Sequence, residues 1–174
     1  MKKILITCVM ILGYFSAMGA SPLKVRSGEW KSIVAEQVYA CVEFDYSETT
    51  WEEGESYKEF CGETYEPRVK SSVADFIDAF NSATHGLKMT TEQDDAKYKF
   101  VFHIDNIERK QGMTMWGRFF SRVYGNIEVI DLQTEAVVCK IEVDGHRGGD
   151  DFVPEDRLAK CFRALAENLL DMKK

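Results

Sequence analysis

The sequence predicts a single α+β domain with a mainly antiparallel sheet, in the order strand, helix, three-strand meander and helix, with the helices packed on the sheet. Apolar and polar residues alternate in three consecutive segments, residues 97–107, 122–131 and 136–144, which is typical of half-buried strands. Two other segments, near residues 72–85 and 154–170, carry apolar residues at helical spacing.

The antiparallel pairing in the meander is inferred from the link between its second and third strands. This link begins at Asp131, whose carboxylate can accept hydrogen bonds from the backbone two or three residues later. A short polar link of this kind joins neighbouring strands as an antiparallel hairpin.

The first twenty residues form a separate unit. Lys2 and Lys3 precede an almost wholly apolar run over residues 4–15, and small residues follow at 17–20, which is typical of a cleaved secretory signal peptide. The apolar run is short for a membrane helix, which needs about 20 apolar residues, although a retained N-terminal anchor is the alternative. We therefore expect residues 21–174 to form one domain, without a transmembrane segment, in the periplasm or outside the cell.

The net charge of the chain limits the kinds of partner that it can bind. The formal net charge of the chain is −7, and removal of the two signal lysines lowers it to −9. Nucleic-acid binding depends on clustered cations, so we do not expect nucleic acid as a partner.

The elements before the meander follow in order. Residues 30–34 are interpreted as a short strand, and alternation over residues 38–46 predicts a strong one. Residues 43–66 contain nine acidic residues and one lysine, which predicts a solvated loop. Calcium is the alternative, but the alternating Asp/Asn ligands and the central glycine of a calcium loop are missing.

Two helices complete the predicted fold. The first follows Pro67, with Ser71 or Ser72 as its cap and Gly86 at its end, and a short strand is expected at residues 87–90. The second begins near Pro154.

Four cysteines remain after signal cleavage, and they allow three disulfide pairings. They are Cys41, Cys61, Cys139 and Cys161. Cys139 and Cys161 fall on apolar faces and could meet in the core, which would leave Cys41 and Cys61 to form the second bridge. Free buried thiols are the alternative. Their spacing lacks the C-x-x-C pattern of zinc or redox sites.

The link between the first two meander strands, residues 108–121, is longer than most hairpin loops. No acidic residue occurs between Arg109 and Ile127, and the link is rich in residue types that are enriched at interfaces. The candidate partner-binding residues are Arg109, Lys110, Met113, Met115, Trp116, Arg118, Phe119, Phe120 and Arg122. We expect a docking surface for another envelope protein or for an anionic membrane surface. The alternative is a loop that folds back over the sheet and completes the core.

Catalytic motifs are not evident in the sequence. Serine-nucleophile, phosphate-binding, zincin and dinucleotide patterns are missing, and no cofactor or metal is predicted. The loop from Asp144 to Asp151 contains His146 among carboxylates, so a metal-dependent or hydrolytic enzyme is the alternative function. A flexible glycine-rich connection is the interpretation that we prefer.

The strand from Tyr98 to Ile104, followed by Gly125 to Asp131, Thr134 and Val137, resembles small periplasmic domains of the curli-secretion lipoprotein and of lipoprotein activators of penicillin-binding proteins. The chain departs from that pattern at Glu135, where the pattern has glycine.

The segment Phe44 to Ser47 also resembles exported proteins of gut Bacteroidetes that carry the same four residues after their first strand. The periplasmic resemblance implies a binding or scaffolding domain. We therefore expect a non-catalytic binding or scaffolding module of the bacterial cell envelope.

Overall fold

The computed structural model describes residues 21–51, 54–111, 119–148 and 154–172, which form a sheet-rich α+β fold. The strands are β1 (Leu23–Gly28), β2 (Tyr39–Asp45), β3 (Thr50–Trp51), β4 (Glu55–Ser56), β5 (Lys88–Thr90), β6 (Ala96–Gln111), β7 (Phe119–Asp131) and β8 (Ala136–Arg147). The helical elements are α1 (Trp30–Ala35), α2 (Tyr57–Cys61), a 3₁₀ turn (Gly62–Thr64), α3 (Tyr65–Ala83) and α4 (Pro154–Asp171).

The sheet is mixed. In the described residues, six of its eight strands follow the path β1-β8-β7-β6-β2-β5, while β3 pairs with β6 and β4 pairs with β3. Strands β6, β7 and β8 form an antiparallel meander, and β1 pairs antiparallel with β8. Strand β2 runs parallel to both β5 and β6. The predicted mainly antiparallel architecture of strand, helix, meander and helix is therefore wrong. Alternation identified β2 as a strand, but a period of two carries no information about the direction of its neighbours.

The β7–β8 hairpin turns at the predicted aspartate. The Asp131 carboxylate accepts hydrogen bonds from the backbone nitrogens of Gln133 at 2.9 Å and Thr134 at 3.0 Å. Glu135 completes the turn with φ at 57°, a left-handed conformation that is costly for residues other than glycine. Residue 135 is thus a position where the backbone favours glycine and the sequence has glutamate.

The core lies on one face of the sheet, under α1, α3 and α4. The Phe44 ring on β2 packs within 5.6 Å of Phe76 on α3 and within 4.9 Å of Phe162 on α4. On α1, the Trp30 indole nitrogen donates to the carbonyl of Leu169 at 2.8 Å. These contacts join the three helices and the sheet in one core.

The opposite face of the sheet carries a row of charged pairs. Lys99 pairs with Glu43 at 2.6 Å, and Lys140 pairs with Glu128 at 2.6 Å. His103 lies between Asp45 at 3.0 Å and Glu128 at 4.0 Å. This face of the sheet is solvated. Ion pairs that are exposed to water contribute little to stability, so these pairs need no layer of helices over them.

Two local predictions are wrong. Residues 30–34 belong to helix α1 rather than to a strand, because Trp30 and Ile33 are three residues apart and bury the same side of one helical turn. Helix α3 begins at Tyr65 rather than after Pro67. The Ser72 hydroxyl is buried inside it and donates to the carbonyl of Arg68 at 2.9 Å, so it does not cap the helix.

Candidate ligand-binding site

A cavity of about 340 Å³ lies between the start of α3 and the start of α4; we call it the α3–α4 cavity. Its described wall combines aromatic and aliphatic side chains with a few polar groups. The wall residues used below are Trp51, Tyr57, Arg68, Ser71, Leu158 and Ala159. The size falls within the range of small-ligand sites, about 300–1,000 Å³.

One side of the cavity is built by the acidic stretch that was predicted to be a solvated loop. The rings of Trp51 and Phe60 stack with their centroids 4.4 Å apart, and those of Tyr46 and Tyr57 stack at 5.5 Å. Burial of such rings contributes roughly 1.5–3 kcal/mol for each large side chain, which favours a packed segment over a solvated loop. The loop prediction is therefore wrong where β3, β4, α2 and the 3₁₀ turn form.

Tyr57 is the most deeply buried polar group of the wall, with 1% of its surface exposed. Its hydroxyl is enclosed beside the Cys61 thiol and the Arg68 guanidinium. Burial raises the pKa of Tyr57 well above its ordinary value, the Cys61 thiol adds to that rise, and the positive charge of Arg68 opposes it. The Tyr57 hydroxyl therefore stays protonated at physiological pH and can donate a hydrogen bond.

Arg68 extends from α3 into the wall and is half-buried. Its guanidinium carbon lies 6.0 Å from the centroid of the Phe60 ring, and this distance suits a cation–π contact. The aromatic cluster thus places a positive charge beside the cavity, near Tyr57.

The predicted docking segment is only partly described. Met113, Met115, Trp116 and Arg118 lie outside the described residues. Arg109 and Lys110 belong to β6, whereas Phe119, Phe120 and Arg122 belong to β7, and the backbone pairs Lys110 with Phe120. The strands therefore extend well into the stretch that was predicted to be a link.

Phe120 is the described aromatic side chain of that segment, and it is 7% exposed. The Arg147 guanidinium lies 3.8 Å from the centroid of its ring, and that of Arg122 lies at 5.6 Å. Phe120 is thus covered by two arginines and lies apart from the main core cluster. Whether the segment binds a partner stays a prediction.

The predicted loop from Asp144 to Asp151 is a strand over its first half, because β8 continues to Arg147. His146 is 1% exposed, and its Nε2 atom lies 3.0 Å from Nδ2 of Asn168 on α4. Burial lowers the pKa of His146 to about 4. A neutral, enclosed imidazole is poorly placed to meet a substrate, and residues 149–153 lie outside the described part of the chain.

None of the four cysteines that were predicted to pair forms a disulfide bridge. Cys41, Cys61, Cys139 and Cys161 are free and buried. Burial raises the pKa of the Cys139 thiol to about 11 and that of Cys161 to about 12, so both are protonated at neutral pH. The Cys161 thiol donates to the carbonyl of His146 at 3.2 Å. Among the described residues, no group of three or more His, Cys, Asp or Glu side chains could hold a metal ion.

Sequence analysis did not identify the α3–α4 cavity. Its walls come from segments about a hundred residues apart, Trp51 and Tyr57 on one side and Leu158 and Ala159 on the other. One feature of the sequence could have indicated this wall. The acidic stretch contains more aromatic residues than a solvated loop needs.

Neither a protein-family model nor a curated protein matches the chain. No described helix is long and apolar enough to cross a membrane.

The solved structures that are similar over most of the chain include two from bacteria. One is the PelC dodecamer from Paraburkholderia phytofirmans, with 14% identity and a TM-score of 0.47, covering 87% of this chain and 96% of that one. The other is a neuraminyllactose-binding hemagglutinin homolog from Helicobacter pylori, with 9% identity and a TM-score of 0.43, covering 80% of this chain and 83% of that one. At these values the matches carry no argument about the ligand or assembly of this chain.

Proposed function

We propose that the chain is an exported, non-catalytic binding module of the bacterial cell envelope that holds a small ligand in the α3–α4 cavity. The observation that carries the proposal is the cavity itself, about 340 Å³ in volume and walled by Trp51, Tyr57 and Leu158. A concave apolar site with a few convergent polar groups is the usual form of a small-molecule site.

The chemistry of the wall supports binding rather than reaction. Tyr57 stays protonated because its pKa is raised by burial, and arginine does not release its proton in proteins. General acid–base catalysis needs a group that titrates near the working pH. Apart from the exposed carboxylate of Glu63, the wall offers hydrogen-bond donors and apolar surface, which can hold a ligand in place.

Export is the second part of the proposal, and it rests on the N-terminal sequence. The pair Lys2 and Lys3, the apolar run and the small residues before Ser21 support cleavage by a signal peptidase. Docking to another envelope protein or to an anionic membrane through residues 109–122 is the predicted means of attachment, and it is separate from the cavity.

A neutral fluorescent probe, N-phenylnaphthylamine, tests the cavity directly. Its emission should rise when it binds the purified mature chain. Ala159 lines the cavity and is half-buried, so Ala159→Phe should fill the cavity and abolish this rise.

The matched control is Ala164→Phe. Ala164 is half-buried on the same helix and is not a wall residue of the cavity. This variant should bind the probe like the wild type. Equal binding by both variants, or no binding by the wild type, would overturn the proposed function.

A further inference from the structure

The polar side chains of the inner wall of the α3–α4 cavity face partners within the chain. The Tyr57 hydroxyl is enclosed beside the Cys61 thiol and the Arg68 guanidinium. The Ser72 hydroxyl is buried and donates to the carbonyl of Arg68 at 2.9 Å. The Arg68 guanidinium also lies over the Phe60 ring, with its carbon 6.0 Å from the centroid. These groups are occupied by the protein itself, so a ligand inside the cavity has to bind without them.

The inner wall offers apolar surface instead. Trp51 and Leu158 line the cavity and are 8% and 6% exposed, and Ala159 adds a methyl group from α4. A ligand that covers this surface gains about 25 cal/mol for each Å² of apolar area that leaves water. The inner wall therefore favours a ligand with an apolar body.

A charged ligand group is disfavoured inside the cavity, whatever its sign. Burial of a charge without a partner is costly, and an anion would find the donors of the inner wall already occupied. A cation would meet rings that already have cations. Arg68 lies over Phe60, and the Lys58 ammonium lies 5.6 Å from the centroid of the Tyr65 ring. A ligand cation would have to displace one of these side chains.

Three exposed wall residues, Glu63, Thr64 and Ser71, form what we call the mouth of the cavity. The Thr64 hydroxyl donates to the carbonyl of Cys61 at 2.7 Å, and its oxygen can still accept a hydrogen bond. The Glu63 carboxylate is an acceptor, and the Ser71 hydroxyl can donate or accept. The negative charge of Glu63 repels an anionic group at the mouth. The mouth therefore suits an uncharged group that donates a hydrogen bond, such as a hydroxyl or an amide.

We infer that the cavity ligand is a small uncharged amphiphile, whose apolar body lies against Trp51 and Leu158 and whose hydroxyl or amide group donates to the residues of the mouth. This inference rests on the proposed function and names the chemical class of the ligand for the same site. The inner wall selects against charge, and the mouth holds the polar end.

The test compares three competitors with the same hydrocarbon chain: 1-octanol, octanoate and octylammonium. Each is used to displace N-phenylnaphthylamine from the purified mature chain at neutral pH. 1-Octanol should displace it at a concentration at least about tenfold lower than either ion, because a charged group pays for desolvation without gaining a partner.

The other outcomes separate the inference from the proposed function. Equal potency of the three competitors would show that the end group stays in water. Stronger displacement by octanoate or octylammonium would show a charged site. Either result, or no displacement by 1-octanol, would overturn the inference and leave the proposed function standing, since the latter depends on the binding of N-phenylnaphthylamine itself.

Tyr57→Phe tests whether the inner wall is used as inferred. It keeps the ring that builds the wall and removes only the hydroxyl, which faces Cys61 and Arg68. The affinities for 1-octanol and for N-phenylnaphthylamine should both match those of the wild type. A loss for 1-octanol with unchanged binding of N-phenylnaphthylamine would show that the ligand uses this hydroxyl, which contradicts the inference.

Ser71→Lys tests the mouth. It places a cation at an exposed wall position and should raise the affinity for octanoate by up to about tenfold, without a gain for 1-octanol. Ser82→Lys adds the same charge at an exposed position of the same helix outside the wall and should change neither affinity. Equal effects of the two variants, or no effect of Ser71→Lys, would show that the polar end of the ligand does not lie at the mouth.

Discussion

The Nδ2 atom of Asn168 lies 3.0 Å from the Nε2 atom of His146 and joins α4 to β8. The neutral imidazole accepts this hydrogen bond through Nε2. Protonation of the ring would remove the acceptor and bury a positive charge, which is consistent with the lowered pKa of His146.

The first prediction concerns acid stability. The pKa of His146 is about 4 in the folded chain, against an ordinary value of 6.5, so the unfolded chain binds more protons between these two pH values. Stability should therefore fall as the pH falls through this window, by up to about 3 kcal/mol from this group.

Urea unfolding at a series of pH values checks this, with His146→Gln as the variant that does not titrate. The variant should lose less stability than the wild type between pH 6.5 and pH 4. His85→Gln, at an exposed position, should follow the wild-type curve. Parallel curves for the wild type and His146→Gln would contradict the burial argument.

The second prediction concerns the β7–β8 turn. Glu135→Gly should stabilise the chain by about 0.5–1 kcal/mol, because relief of the left-handed strain exceeds the extra entropy that glycine has when unfolded. Glu135→Ala keeps a side chain at φ of 57° and should give no such gain. Denaturant midpoints measure both, and a gain in the alanine variant would point to charge rather than to the backbone.

The third prediction concerns Phe120. Phe120→Ala should cost about 2 kcal/mol, since a large buried ring is lost from beneath two guanidinium groups. Tyr39→Ala, at a side chain 54% exposed, should cost less than about 0.5 kcal/mol. Unchanged stability in Phe120→Ala together with lost partner binding would instead support the docking surface.

The fourth prediction concerns the thiols. Because the four cysteines are free and buried, a reductant should leave the melting temperature unchanged, and a thiol reagent should react slowly until the chain is denatured. In denaturant without reductant, all four thiols should then be titratable. Fewer than four would show that disulfides form in solution.

The fifth prediction concerns the mature N-terminus. Intact mass should correspond to a chain that begins at Ser21, after cleavage behind Ala20. Ala20→Asp should block cleavage and retain the precursor mass. A wild-type protein that keeps residues 1–20 would support the retained membrane anchor.

The sequence predicted local features better than it predicted their arrangement. Alternation identified the strands of the meander, and Pro154 correctly marked the start of α4, because both signals depend on neighbouring residues. The parallel pairing of β2 with β6 joins residues such as Phe44 and Phe102, and no local pattern encodes that choice. Trp30 and Ile33 were assigned to a strand because a helix of two turns or fewer gives too few residues to reveal its period.

The candidate site was hard to predict for the same reason. The sequence pattern assigned no role to Arg68, and it placed Leu158 in the apolar stripe of the last helix. Only the packing of α3 beside α4 brings these residues to one cavity. His146 was misassigned to a loop because glycines surround it, whereas the strand continues through Gly145 with φ at 67°.

The pairing of β1 with β8 affects how the chain can fold. Leu23 lies opposite Val143, and Gly28 lies opposite Cys139, so the first strand has its partner near the far end of the sequence. Such high contact order slows folding, and during synthesis β1 has no partner strand until β8, which ends at Arg147, has emerged. Until then, the nascent chain exposes backbone groups that can pair with another molecule, so export before completion, or a holding chaperone, would protect it from aggregation.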